Sequence, residues 1–254
     1  MIDVAAMKVD GIGFDYGNTL VTDQFDNVMK LKSLDFVRVL EANGYEVNGK
    51  KFVKAWTDIN AKVNYPYCSH FAQETRLIKV LLESLGVKKA DRNKLSQQLL
   101  VAYRSGLKYT LKNDKRIAKV RDVLADLKSR GKKLIILSNE RMDTIDVQLR
   151  WTGLWRFFDR VIVSERLKVE KPDPRIFNYM IKAFDMPKER ILYVGDDPQR
   201  DIRPAKHMGI RAVMLERPQA MSAAAWRDYS VQLAESEKPD YVIKDLSEIL
   251  KIVE

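Results

Sequence analysis

The sequence contains very little cysteine and histidine. Among its 254 residues there are one cysteine, Cys68, and two histidines. A single cysteine excludes an internal disulfide framework and a cysteine-rich zinc site. No serine–histidine–aspartate arrangement is implied by any motif, so nucleophilic serine catalysis has no support either. A disulfide-stabilised scaffold, a cysteine-rich zinc site and serine-nucleophile enzymes are therefore set aside at the start.

Long apolar runs and the common nucleotide-binding motifs are also missing. The longest aliphatic stretch is Leu134–Leu137, much shorter than the ~18 residues that a membrane span requires. The first residues, MIDVAAMKVDG, lack the basic-then-apolar layout of a secretory signal. No GxxxxGK[ST] motif occurs, and Tyr16 stands where a dinucleotide-binding GxGxxG would have its third glycine. We expect a soluble, cytoplasmic protein that does not bind membranes.

Positive charge is in excess, and it is concentrated in one segment. The chain has 45 Lys+Arg against 35 Asp+Glu, a net charge of +10, and residues 21–118 hold 18 and 10 of these. Such an excess can indicate nucleic-acid binding, attraction of anionic substrates, or a solvated surface. Trp56 and the loop from Tyr65 to Phe71 loosely resemble an aromatic nucleic-acid surface. We nevertheless favour a small anionic substrate over nucleic acid, and leave monomer or homodimer open.

Short apolar runs alternate with amphipathic helices through most of the sequence. This pattern predicts a doubly wound, Rossmann-like α/β fold with a parallel sheet. The strands are predicted at residues 9–14, 134–137, 160–164, 191–194, 211–215 and 240–243. A block of four helices follows the first strand, and its first helix has the apolar stripe Val28, Leu31, Leu34, Val37, Val39 and Leu40. We therefore predict an α/β core at 1–20 and 117–254 and an inserted helical cap at 21–116.

Polar residues follow several of the predicted strands. Since ligands bind beyond the carboxyl ends of parallel strands, these residues are expected to converge. Carboxylates can share Mg²⁺, which prefers oxygen ligands, while a lysine and a hydroxyl can hold phosphate oxygens. The combination suits metal-assisted phosphoryl transfer with a carboxylate nucleophile. The residues are Asp15, Ser138, Asn139, Lys171, Asp196, Asp197 and Asp201.

Four segments containing these residues resemble the motifs of the haloacid dehalogenase superfamily of hydrolases. They occur in the expected order, and residues 205–213 (AKHMGIRAV) resemble the stretch that follows the fourth motif. The insertion point matches members with a helical cap between the first two motifs. The resemblance covers about residues 9–20 and 117–250. The four segments are FDYGNTL at 14–20, LIILSN at 134–139, EKPDPRIF at 170–177 and YVGDDPQRDI at 193–202.

The resemblance implies a catalytic and substrate-binding set. Asp15 would be the nucleophile that forms an aspartyl-phosphate, and Lys171 would neutralise both the nucleophile and the phosphate. Ser138 would bind the phosphoryl oxygens, with Asn139 beside it. Thr19 would support the first loop. A phosphatase acting on a small phosphorylated metabolite is the function expected from this set.

The resemblance also implies a Mg²⁺ site. Asp15 and Asp196 would be ligands, together with the backbone carbonyl of Gly17. Asp197 or Asp201 would complete the site or hold its waters. The sequence leaves open which of these two carboxylates contacts the metal.

Gly17 departs from the family's phosphatase pattern. Phosphatases of the family usually have a second aspartate two residues after the nucleophile, as general acid and base, and Asn18 replaces their usual glycine. Glycine cannot protonate a leaving group, and a positioned acid or base typically contributes about 10²–10⁴-fold. We therefore expect a weakened or leaving-group-selective phosphatase, or one whose acid comes from elsewhere.

Three alternatives remain open at this point. A 2-haloacid dehalogenase works without the second aspartate, but the acidic fourth motif here is untypical of one. A catalytically weak member could bind a phosphorylated ligand through its basic cap. Phosphonate hydrolases use a cap lysine, for which the candidates by location only are Lys50, Lys51, Lys54 and Lys62.

Overall fold

The computed structural model describes residues 7–64, 74–217 and 234–254. Contacts divide the chain into two compact units, one formed by Met1–Asp23 with Asp114–Glu254 and the other by Gln24–Asn113. The first unit contains a parallel sheet with helices, and the second contains helices. None of the helices in the described ranges combines the length and apolar character that a membrane crossing requires.

Six parallel strands form the sheet in the order β3-β2-β1-β4-β5-β6. The strand β1 lies between β2 and β4. On one side of β1 the sheet continues with β2 and β3, and on the other side with β4, β5 and β6, so the carboxyl end of β1 lies where the strand order reverses. Open parallel sheets bind their ligands at such a point. The predicted α/β fold is confirmed. The strands are β1 (Gly11–Phe14), β2 (Lys133–Ser138), β3 (Arg160–Val163), β4 (Ile191–Gly195), β5 (Arg211–Leu215) and β6 (Tyr241–Ile243).

Helices connect the strands of the α/β unit, and two of them begin with a capping aspartate. Asp114 accepts from Arg116 N–H at the start of the first of them, and Asp173 precedes Pro174 at the start of another. Gly13 on β1 permits close packing, since a Cβ there would lie 2.5 Å from Met180 Sδ. The helices are α5 (Lys115–Ser129), α6 (Met142–Thr152), α7 (Ser164–Leu167), α8 (Pro174–Phe184), α9 (Arg203–His207) and α10 (Ile249–Ile252).

The helical unit contains α1 (Phe25–Glu41), α2 (Gly49–Asn64), α3 (Glu74–Ser84) and α4 (Lys89–Asn113). Its core includes Phe36, Phe52 and Trp56, with Trp56 and Tyr103 stacked at a centroid distance of 5.7 Å. Trp56 is only 3% exposed. It is therefore a core residue and cannot stack on nucleic-acid bases. The loop from Tyr65 to Phe71 lies outside the described residues.

Two details differ from the sequence-based expectations. On α1, Leu31 and Leu34 are 45% and 69% exposed, while Phe25, Met29 and Phe36 are buried together with Val28, Val37 and Leu40. The two leucines fit the helical period, but the aromatic residues determine which face meets the other helices. A π-helical turn at Pro198–Ile202 leads directly into α9. The four-residue α7 was not predicted because it is too short to show a helical period.

Candidate active site

The ends of three adjacent strands place polar groups at one edge of the sheet. Asp15 follows β1 directly, Ser138 is the last residue of β2, and Asp196 follows β4. The backbone N–H of Asp15 donates to the carbonyl of Val194 at 2.9 Å, so the ladder between β1 and β4 extends to the carboxylate. The convergence expected from the order of the motifs is therefore present in the fold.

Lys171 is the central cation of this edge. Its Nζ donates to Asp15 Oδ1 at 2.5 Å and to Asp201 Oδ1 at 2.6 Å, and the side chain is 4% exposed. Burial alone disfavours the ammonium form, but the negative charges of Asp15 and Asp201 outweigh it and raise the pKa of Lys171. Lys171 thus carries its positive charge at any physiological pH, between two carboxylates.

The loop that carries Lys171 is attached to the end of β2 through Asn139. The Asn139 side chain accepts from Lys171 N–H at 2.8 Å and donates to the Lys171 carbonyl at 2.9 Å. Both ends of the amide are therefore engaged with backbone. Asn139 therefore positions the backbone of Lys171, and its predicted substrate-binding role stays a prediction.

Three buried carboxylates form a compact acidic cluster, which we call the triad: Asp15, Asp196 and Asp201. One oxygen from each lies within 4.8 Å of the others. Burial, with the charges of Asp15 and Asp201 adding to it, raises the pKa of Asp196 to about 8. Burial also raises the pKa of Asp201 to about 6, although Lys171 opposes this. Three acids and one lysine leave excess negative charge, and an added cation would compensate it.

Asp197 lies outside the triad. Its Oδ1 accepts from the backbone N–H groups of Gln199 and Arg200 at 2.8 and 2.9 Å, and its Oδ2 accepts from Arg200 Nε at 2.7 Å. Asp197 therefore caps the turn at Pro198–Ile202. Of the two carboxylates left open by the sequence, the fold brings Asp201 to Asp15 and Asp196, and the geometry gives no support to Asp197 as a metal ligand.

The loop after Asp15 is a tight turn in which Gly17 is exposed. A Cβ built on Gly17 would meet no atom within 4 Å, so a side chain fits there. Asn18 adopts a left-handed conformation with φ of 56°, which asparagine tolerates better than most residues. Thr19 is fully buried, and its Oγ1 has no hydrogen-bond partner among the described residues. The metal role predicted for the Gly17 carbonyl stays a prediction.

Ser138 is buried at the end of β2. Its Oγ accepts from the backbone N–H of Glu140 at 3.2 Å, which orients the hydroxyl. Its predicted role in phosphate binding stays a prediction, as do the nucleophilic role of Asp15 and the neutralising role of Lys171.

Tyr193 belongs to this network and was not predicted from the sequence. Its hydroxyl accepts from Lys171 Nζ at 3.2 Å and donates to Asp201 Oδ1 at 3.2 Å, and its ring is fully buried in β4. The sequence feature that could have indicated it is a tyrosine inside a buried apolar strand, because a buried hydroxyl requires a hydrogen-bond partner. Tyr193 holds Lys171 and Asp201 in place from within the sheet.

We expect Tyr193→Phe to lower kcat about 10-fold and to change KM little, because Lys171 loses a contact that orients it. The lost hydrogen bond to charged partners is worth about 1.5–3 kcal/mol. Steady-state kinetics measure kcat and KM, and thermal unfolding measures the loss of stability. Tyr179→Phe, on α8 and half-exposed, is the control and should change neither quantity. Equal kinetics for wild type and Tyr193→Phe would show that the hydroxyl is not needed.

Comparison with known proteins relates this geometry to a family. The chain is 32% identical over 130 residues to a glyceraldehyde 3-phosphate phosphatase of Methanocaldococcus jannaschii, covering 51% of this chain and 53% of that protein. It is 27% identical over 133 residues to the pyrophosphatase PpaX of Bacillus velezensis, covering 52% and 57%. The chain thus spans about half the length of these curated relatives.

A solved structure and a family profile complete the comparison. The crystal structure of a 2-haloacid dehalogenase from Pseudomonas syringae has the same fold, with a TM-score of 0.64, 19% identity and coverage of 96% of this chain and 97% of that one. The sequence profile described as "Haloacid dehalogenase-like hydrolase" matches residues 76–215. With more than half of its length matched in this way, the chain belongs to the haloacid dehalogenase-like hydrolase family.

Proposed function

We propose that this protein is a Mg²⁺-dependent phosphatase that acts on a small phosphorylated metabolite through an aspartyl-phosphate on Asp15. The observation that carries the proposal is the position of Lys171 Nζ between Asp15 and Asp201, at 2.5 and 2.6 Å. An ammonium between two carboxylates suits a nucleophile that must approach an anion. The phosphatase names of the two sequence relatives support the same reaction class.

The triad is suited in its chemistry to a divalent cation. All its donors are carboxylate oxygens, which Mg²⁺ and Ca²⁺ prefer over softer ligands. The raised pKa of Asp196 indicates an acid whose charge is not balanced by protein groups alone. Asp15 and Asp196 would hold the ion, and Asp201 would hold it or its waters. A bound Mg²⁺ would neutralise phosphate charge.

The protein's own groups account for the two chemical steps. In the first, an Asp15 oxygen attacks phosphorus, the bond from phosphorus to the leaving oxygen breaks, and that oxygen keeps the electron pair. In the second, water attacks the same phosphorus, the bond to Asp15 breaks, a proton is lost to solvent, and inorganic phosphate leaves. Lys171 and Ser138 hold the non-bridging oxygens in both steps.

Gly17 determines which substrates this chemistry favours. No side chain at this position can give a proton to the leaving oxygen. The leaving group of an alkyl phosphate is a strongly basic alkoxide, so its departure depends on such a proton. The leaving groups of acyl, aryl and anhydride phosphates are weaker bases and depend on it less. We propose that the protein prefers phosphates with good leaving groups, a class that includes pyrophosphate, the substrate named for one of the relatives.

We expect Gly17→Asp to raise kcat/KM on an alkyl phosphate by about 10-fold or more, because a positioned acid contributes 10²–10⁴-fold. The gain on acetyl phosphate should be smaller. The open space around a Cβ at Gly17 allows the carboxylate without displacing neighbours. Release of inorganic phosphate from glycerol phosphate, acetyl phosphate and pyrophosphate, with Mg²⁺ or with a chelator, measures both effects.

Asn18→Asp is the matched control for this experiment. It adds the same charge one residue away and keeps a side-chain oxygen for the backbone N–H of Asp23. It should give no gain on glycerol phosphate. Equal gains from both variants would indicate a general effect of charge, and no gain from Gly17→Asp would show that a missing acid is not the limitation.

The alternative functions are separated by adding a 2-haloacid to this panel, measuring halide as well as phosphate release, and measuring binding of a phosphorylated ligand. Halide release from a 2-haloacid without phosphate release from any substrate would favour dehalogenation and overturn the proposal. The fold likeness to a dehalogenase does not choose between the two reactions, since at 19% identity it concerns the fold alone. Absence of both activities, together with binding of a phosphorylated ligand, would favour the catalytically weak binder.

A further inference from the structure

Arg217 contacts the loop that follows Asp15. It lies two residues beyond β5, and its Nε donates to the carbonyl of Asn18 at 2.8 Å. Its Nη2 donates to the carbonyl of Thr19 at 3.3 Å. One guanidinium therefore bridges two successive backbone carbonyls, a geometry that its fork of donors allows and a lysine cannot reproduce.

The loop that Arg217 holds has a conformation that needs support. Asn18 is in the left-handed region, which is unfavourable for a residue with a Cβ. The turn closes on itself through Asn18 N–H to Val21 O at 2.7 Å and through two N–H groups that donate to Tyr16 O. The carbonyls of Asn18 and Thr19 take no part in this closure, and Arg217 satisfies both.

Arg217 is also electrostatically linked to the triad. Burial lowers the pKa of Arg217, and the negative charge of Asp196 is the strongest effect opposing this. The side chain thus begins after β5, contacts the loop after β1, and is influenced by the carboxylate after β4. Three neighbouring strand ends are connected through one residue.

We propose that Arg217 is a positioning residue for the reaction at Asp15. It acts through the backbone of Asn18 and Thr19, and thereby sets the orientation of the Asp15 carboxylate and of the Gly17 carbonyl next to it. Within the described part of the chain, Arg217 donates to backbone carbonyls and not to a triad oxygen, so its role is to hold the loop. This inference rests on the proposed function.

Amide hydrogen exchange and kinetics test the proposal together, using the full chain. In Arg217→Gln, exchange in peptides covering residues 15–22 should rise at least about 10-fold, because the turn loses its external support. The kcat for phosphate release from acetyl phosphate should fall about 10–100-fold with KM changed less than about 3-fold, as expected for a misplaced nucleophile. Arg217→Lys should lie between wild type and Arg217→Gln in both measurements.

Arg130→Gln is the matched control. Arg130 likewise bridges two backbone carbonyls, those of Leu250 and Val253 at 2.9 Å each, but it precedes β2 at the opposite edge of the sheet. It should change neither the exchange of residues 15–22 nor kcat. The proposal is overturned if Arg217→Gln leaves that exchange unchanged, if exchange rises while kcat stays at the wild-type value, or if Arg130→Gln has the same effects.

The same experiment distinguishes an error in the proposed function from an error in the role assigned to Arg217. If the proposed function is wrong, wild type itself releases no phosphate, and the role assigned to Arg217 is overturned with it. If only the present inference is wrong, wild type is active and Arg217→Gln is equally active.

Discussion

Replacement of Asp15 by Asn is expected to reduce phosphate release at least about 10³-fold, the scale on which loss of a nucleophile acts. An amide oxygen is a poor nucleophile and cannot form the acyl-phosphate linkage that a carboxylate forms. The substitution keeps the size of the side chain, so the chain should fold normally. Phosphate release from acetyl phosphate in Mg²⁺ measures the loss.

The stability of Asp15→Asn should be unchanged or slightly increased. Lys171 loses one of its two carboxylate partners but keeps Asp201 at 2.6 Å. At the same time, one negative charge leaves a cluster that has three acids and one lysine, and this relieves repulsion. Loss of activity with an unchanged thermal unfolding temperature would therefore exclude a folding defect.

Asp10→Asn is the control for this variant. Asp10 immediately precedes β1 at its other end and forms an ion pair with Arg190. It is remote from the strand ends that carry the triad, so its activity should stay within about 2-fold of wild type, and loss of an exposed pair should cost at most about 1 kcal/mol. Substantial phosphate release by Asp15→Asn would contradict the nucleophilic role.

The ionisation of Asp196 is expected to make the stability of the metal-free protein depend strongly on pH. In the metal-free folded protein the pKa of Asp196 is raised to about 8 and that of Asp201 to about 6, from an ordinary value of 3.8. Between the ordinary pKa and the raised pKa of each group, the folded state binds more protons than the unfolded state. The free energy of unfolding therefore falls as pH rises through that interval. The metal-free protein should lose stability from about pH 4 upward, and the loss should continue to about pH 8.

Asp196→Asn is expected to remove the Asp196 contribution to this loss, which extends from about pH 4 to about pH 8 and is the whole of the loss above about pH 6. At pH 8 the variant should be more stable than metal-free wild type by about 1–3 kcal/mol, since a buried charge without full compensation is replaced by a neutral group. Mg²⁺ should stabilise wild type, because it binds the folded state, and should have little effect on the variant. Thermal unfolding at several pH values, with chelator or with MgCl₂, measures these differences.

Asp197→Asn is the neighbouring control, and it should lower stability where Asp196→Asn raises it. Burial tends to raise the pKa of Asp197, but Arg200 and two backbone N–H groups lower it overall. Its ionised form therefore stabilises the fold above the ordinary pKa, and its removal should lower stability and weaken the cap of the following turn. The Mg²⁺ response should remain. If Asp197→Asn lost that response and Asp196→Asn kept it, the assignment of the two aspartates would be wrong.

The sequence predicted the elements of the α/β unit well, because each strand is a short apolar run and each long helix has a clear period. Gly17 and the loop that follows Asp15 were also identified from the sequence. What it predicted less well were contacts. Leu31 and Leu34 fit an apolar stripe but are exposed, and Trp56 fits an aromatic surface but is buried. Periodicity shows which residues share a face, and only packing shows what covers that face.

The site shows the same division. Order along the chain was enough to predict that Asp15, Ser138, Lys171 and Asp196 meet at one edge, because parallel strands bring their carboxyl ends together. The choice of Asp201 over Asp197, and the use of Asn139 to hold Lys171, depended on side-chain directions. Tyr193 lies inside β4, where only the residues after the strand were expected to act, and Arg217 follows β5, which carried no expected site residue.

By itself, then, the sequence determined the parallel α/β fold, the strand ends that carry the converging polar side chains and the absence of a carboxylate at position 17. These properties are local or follow from the order of elements, so hydrophobic period and spacing are enough to specify them. The tertiary structure alone decided which carboxylates share a charge cluster, which amide and hydroxyl contact Lys171, and which arginine donates to the loop after Asp15. Those are contacts between residues distant in the chain, and they depend on distances of a few ångströms that no sequence period encodes.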